Sequence, residues 1–178
     1  DAKNNAVTVS GADSVWKNSS SLYVGYAGSG NSLTIADGGT VQSLGGSIGL
    51  STMASNNSAT VTGPGSVWNN GGALYVGGSG SDNTLTIADG GEVSAASVTL
   101  GYYTASSNNL LAVNGGSLIS SGTVDVRRGA LTMDSGMIKA NSLTLTNGAN
   151  GTFQMSGGTL AVNTLANDGS GNVQLSGG

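Results

Sequence analysis

One feature constrains this chain above all others: its phrases return at a fixed interval of 52 residues, and more loosely at half that. Leu22-Tyr-Val-Gly25 returns as Leu74-Tyr-Val-Gly77, and Ser14-Val-Trp16 as Ser66-Val-Trp68. Leu33-Thr-Ile-Ala-Asp-Gly-Gly39 returns as Leu85-Thr-Ile-Ala-Asp-Gly-Gly91. Residues 4–55 laid over 56–107 without a gap give 27 identities in 52 positions, which marks a duplication. A unit this short cannot bury its own apolar face. Repeats of this kind become stable by stacking on one another.

The finer period is 26. Asn5, Asn31, Asn57, Asn83 and Asn109 keep it, as do Val15, Val41, Val67, Val93 and Ile119. So do Val9, Ile35, Val61, Ile87 and Val113, with Thr8, Thr34, Thr60 and Thr86 one position before them. Apolar and hydroxyl positions alternate with period two, as a strand with one buried face requires. Core pairs continue the pattern as Val7/Val9, Leu33/Ile35, Ala59/Val61, Leu85/Ile87, Leu111/Val113, Leu131/Met133, Phe153/Met155 and Val173/Leu175, which predicts eight coils. The chain is therefore expected to be an all-β, right-handed parallel β-helix (β-solenoid) with three short strands per coil. Residues 1–178 are expected to form one solenoid segment of a longer protein, with regular 26-residue coils over 1–110 and shorter coils of 20–22 residues over 111–178.

Within a coil, one strand is of the Leu33–Ala36 type, a turn follows at Asp37-Gly38-Gly39, a second strand centres on Val41, and a third is of the Leu22–Val24 type. The Asn column has two readings. It is either an inward ladder of stacked amides or a set of turn residues that tolerate the left-handed conformation. Inward Val15 and Val67 would turn Trp16 and Trp68 outward, and inward Leu and Val would do the same for Tyr23 and Tyr75. These four aromatics are the candidate ligand contacts, because such rings can stack on sugars; the plain alternative is that they cover corners.

Composition narrows the function. With 32 Gly, no collagen period and only 8% charged residues, the chain reads as turns between short strands. Five cations against nine acids, with only Arg127 and Arg128 adjacent, argue against a nucleic-acid partner. Cysteine and histidine are absent, which removes disulfides, thiol catalysis and His-ligated metals. No apolar run is long enough to span a bilayer as a helix, so this segment is not expected to insert into a membrane. Asp37 and Asp89 precede Gly-Gly and read as turn residues bonding locally. Asp125, Arg127 and Asp134 would be the acid and base of a sugar-cleaving site only if they shared a face; otherwise they are solvated surface charges. The Thr column resembles half of a flat ice-binding array, but Ala6, Ala36 and Ala88 interrupt the second half. No catalytic residue, metal ligand or cofactor site is expected, and the chain is read as not an enzyme.

Three phrases resemble a known repeat: Gly65-Ser-Val-Trp-Asn-Asn70, Leu74-Tyr-Val-Gly77 and Asn83-Thr-Leu-Thr-Ile-Ala-Asp-Gly-Gly91. They are similar to the β-strand repeat of autotransporter (type V secretion) passengers and PEP-CTERM-associated surface proteins. The first copy, from Asp13-Ser-Val-Trp-Lys-Asn18 to Gly39, fits as well, and Gly157-Gly-Thr-Leu160 resembles the looser passenger repeat. The resemblance implies a β-helix stalk exported through an outer-membrane barrel and displayed outside the cell. Its role would be structural or adhesive, with stacking of copies end to end. Its partners would be further coils of the same or identical chains, and host or matrix glycans or proteins. The alternative is a glycan-binding or polysaccharide-degrading β-helix.

Overall fold

The computed structural model describes residues 2–145 and 150–177. In chain order its strands are β1 (Ala6–Ser10), β2 (Val15–Lys17), β3 (Ser21–Val24), β4 (Ser32–Ala36), β5 (Thr40–Ser43), β6 (Gly45–Ile48), β7 (Ser58–Thr62) and β8 (Val67–Val76). They continue as β9 (Thr84–Ala88), β10 (Glu92–Leu100), β11 (Asn109–Ser120), β12 (Thr123–Val126), β13 (Gly129–Leu145), β14 (Gly151–Met155), β15 (Thr159–Asn167) and β16 (Asn172–Leu175). All belong to one 16-stranded sheet, and no helix occurs among the described residues. The sheet coils on itself into a parallel β-solenoid with three faces. Parallel crossovers of right-twisted strands take the right hand.

The first face stacks Val9, Ile35, Val61, Ile87, Val113, Met133, Met155 and Leu175 in strict register. This is the column expected from the sequence, and its central members are fully buried. The other two faces carry seven rungs each among the described residues. The pair Val173/Leu175 thus heads an incomplete coil, and the count of full coils falls slightly below the eight expected.

The second face departs from expectation. Its inward column is Trp16, Val41, Trp68, Val93, Leu118, Ile138 and Leu160. Val15 pairs with Thr40, not Val41, and is exposed. The cause is the corner. Four residues, Gly11–Ser14, separate β1 from β2, whereas three, Asp37–Gly39, separate β4 from β5. One extra residue turns the strand over, because side chains alternate with period two. Coils therefore alternate, and the true repeat is the pair.

The third face buries Leu22, Leu74, Val98, Val124 and Leu143 in one column, with Gly46 in the rung between Leu22 and Leu74. A Cβ on Gly46 would lie 2.9 Å from Leu74 Cδ1 and 3.2 Å from Trp68 Cζ2. Coil two lies between the two Trp coils and needs this space. Coil four borders only one Trp coil and carries Val98 at the equivalent place.

The asparagines form a ladder. From Asn31 onward, each Oδ1 accepts both the backbone N–H and the Nδ2 of the asparagine one coil earlier, at 2.8–3.1 Å. Asn57, Asn83 and Asn109 are almost wholly buried. The residues just before the ladder positions, Asn4, Asn56, Asp82 and Asn108, hold the left-handed conformation. Both readings of the repeat thus occur, on adjacent residues. Beside the ladder run Gly25, Gly49 and Gly77, whose φ is +75 to +79°. A Cβ on any of them would lie within 2.4 Å of the neighbouring Asn side chain. Gly129 stands in register with Asn109, so the ladder ends there, and the coils shorten from that point.

Candidate functional site

Of the four candidate aromatics, the structure brings two to the surface. Trp68 is fully buried, and its Nε1–H donates to Ser43 Oγ at 3.2 Å. Ser43 in turn donates to Asn70 Oδ1, and Asn70 Nδ2 donates to the Gly72 carbonyl. The indole is thus a satisfied core side chain. Trp16 also points inward, half-buried and packed on the core. The expected outward stripe of tryptophans is corrected by the same one-residue corner that flips the second face.

Tyr23 and Tyr75 point outward as expected, on the third face, with Ser47 in the rung between them. Three further tyrosines join them. Tyr26 meets Tyr23 edge to face at 5.3 Å, Tyr102 meets Tyr75 at 5.0 Å, and Tyr103 meets Tyr102 at 4.6 Å. All five tyrosines of the chain therefore gather along one face and its following corner. Tyr26 and Tyr103 are more than half exposed. The signal for them was present: Tyr26 and Tyr102 directly follow Gly25 and Gly101, which close the third strand of their coils.

Arg127 is committed to this surface. Its Nε donates to Asp125 Oδ2 at 2.6 Å, and its guanidinium carbon lies 4.9 Å from the Tyr102 ring centre. Thr144 donates to the other Asp125 oxygen at 3.1 Å. Asp134 lies on a different edge, between the first and second faces, where it accepts from Ser156 Oγ at 2.6 Å. Asp125, Arg127 and Asp134 therefore do not form one constellation. Asp37 and Asp89 sit in left-handed turns, and each accepts a hydroxyl from the preceding coil, Ser10 and Thr62. Their bonds run along the stack and not to their own backbone.

The outer side of the first face shows Thr8, Thr34, Thr60 and Thr86 in continuous register, then Ala112. Beside them run Ala6, Ser32, Ser58, Thr84 and Leu110, so the hydroxyl surface extends over only part of two columns. Among the described residues, no three His, Cys, Asp or Glu side chains gather as a metal ion would require.

Two hollows lie where the stack changes. One, of about 520 Å³, opens at the N-terminal end and is lined by Val7, Trp16, Leu22, Val24 and Leu33. It is the open end of the core. The other, of about 540 Å³, lies where the wide coils give way to the narrow ones, beside Arg128. Compared with family models, curated proteins and solved structures, the chain matches none.

Proposed function

We propose that this chain is a structural module: a rigid stalk or scaffold segment of a surface-displayed or secreted protein, adhesive or simply extending, whose ends stack on further coils. One observation carries this reading. Parallel strand pairing runs from coil to coil along all three faces over one continuous apolar core. Each coil is thus both a support and a template for the next, as a rigid extending segment requires. Eight rungs at about 4.8 Å give a rod of roughly 38 Å.

The export route and the cell-surface location rest on the resemblance of the repeat phrases and belong to this proposal. The polysaccharide-degrading alternative loses support, because its acids are scattered or bonded to neighbouring hydroxyls. Light scattering across a concentration series, with electron microscopy of the same samples, tests the stacking. End-to-end multiples of one rod length are expected. A strictly monomeric species at the highest concentration would refute it.

A further inference from the structure

We propose that the step between the wide and narrow coils is a binding site for an acidic saccharide, held through its carboxylate by Arg128. The inference goes beyond the stalk reading and does not depend on it.

The step has a simple origin. Coil four ends in a long corner, Gly101–Asn108, before β11 begins. Coil five turns the same corner with Arg127 and Arg128 alone before β13 begins at Gly129. The long corner overhangs the short one, and the hollow beneath it has a volume of about 540 Å³. That is within the usual range of small-molecule sites.

Its lining suits a sugar acid. Thr104, Ser107, Asn108, Asn150 and Thr152 supply hydroxyls and amides that can pair with sugar hydroxyls. Half-buried Leu110 and Ala130 supply an apolar floor for the C–H side of a ring. Arg128 supplies the charge. Only its Nη1 is engaged, with the carbonyls of Gly101 and Tyr102, both at a long 3.4 Å. Its Nε and Nη2 donate to nothing among the described residues, and no carboxylate among them lies within ion-pair distance. A half-buried guanidinium with a free planar edge is built to receive a carboxylate through two parallel hydrogen bonds. Arg127, its neighbour, is already paired with Asp125. Of the two adjacent arginines, the one that lines this hollow is thus the one without a carboxylate partner among the described residues.

The test is a titration of the intact chain, followed by amide and Arg Nε NMR shifts. The probes are a uronic-acid disaccharide, its methyl ester and sodium sulfate. The acid should bind and shift Arg128 Nε and the amides of Asn108 and Asn150. The ester should bind at least tenfold more weakly, since a charge-assisted pair is lost. Arg128→Met keeps the packing of the stem against Gly101 and should lose binding to a similar degree. Thr104→Asp, at an exposed position on the rim, should repel the acid while leaving Arg128 in place. Arg127→Met should bind as the parent does. Four results would overturn the proposal: no binding at millimolar acid, equal binding of acid and ester, undiminished binding by Arg128→Met, or sulfate binding as tightly as the sugar acid.

Discussion

At Asn57 one side-chain oxygen accepts two donors from Asn31, and one side-chain nitrogen donates onward to Asn83. All of this happens out of contact with water. Asn57→Ala would strand the buried backbone N–H of Asn31, take one of three acceptors from the Asn31 amide and one of two donors from Asn83 Oδ1, and leave a cavity in the row. Leaving such a group unpaired costs about 1–3 kcal/mol, so a loss of about 2 kcal/mol is expected from chemical denaturation. Asn5→Ala, at the exposed end of the same row, should cost under about 1 kcal/mol. Equal costs at the two positions would contradict a cooperative buried ladder. The ladder's spacing was legible in the sequence because Asn recurs at an unvaried interval. What the spacing could not show was the adjacent residue in the left-handed conformation, or the glycine row beside the amides. Those depend on how the corner closes in space.

The strand elements show where reading by period succeeds and where it slips. On the first face the longer and shorter corners of the early coils compensate within each turn, so positions 26 apart do lie over one another. The second face is entered by corners of four and three residues in alternation. A fixed interval there selects Val15, Val41 and Val67, while the chain stacks Trp16, Val41 and Trp68. Val and Trp are both apolar, so hydrophobicity could not arbitrate between the two faces of a Val-Trp pair. The same one-residue slip misplaced both candidate tryptophans. Alternation has a testable result at this scale. Removing residues 30–81 would seat the first coil on the fourth, so that Trp16 meets Val93 as Trp68 does now. The new junction, Ser29 to Asp82, repeats the native Ser81-Asp82. Removing only residues 30–55 would seat Trp16 on Trp68 without the Gly46 coil between them, and overpacking of this kind costs typically 1–3 kcal/mol. The shorter protein should therefore melt at the higher temperature by circular dichroism. The reverse order would rule out the two-coil unit.

Across the whole molecule, each coil is held by the coils above and below it. Stability in such a stack is a sum of neighbour contacts, weakest where one neighbour is missing. Native-state hydrogen exchange on dilute protein should find the slowest amides in β4, β7, β9 and the first half of β11. Exchange in β1 and β16 should be faster by orders of magnitude. Flat protection from end to end in the dilute chain would mean that the coils do not depend on one another in this way. The open hollow at the step escaped sequence reading for a related reason: it is made by a difference between two corners, and no single repeat contains it.

The amide row also gives the rod an electrical direction. From Asn31 onward each side-chain oxygen in it receives from the N-terminal side, and from Asn5 to Asn83 each side-chain nitrogen gives towards the C-terminal side, so the small dipoles add and do not cancel. At its C-terminal limit the series is terminated internally, since Asn109 Nδ2 donates to Ser106 Oγ and to the Gly80 carbonyl. Among the described residues the row therefore has one sense and one closed limit, and a coil that lacks the asparagine, as at Gly129, can follow it without leaving a donor unpaired.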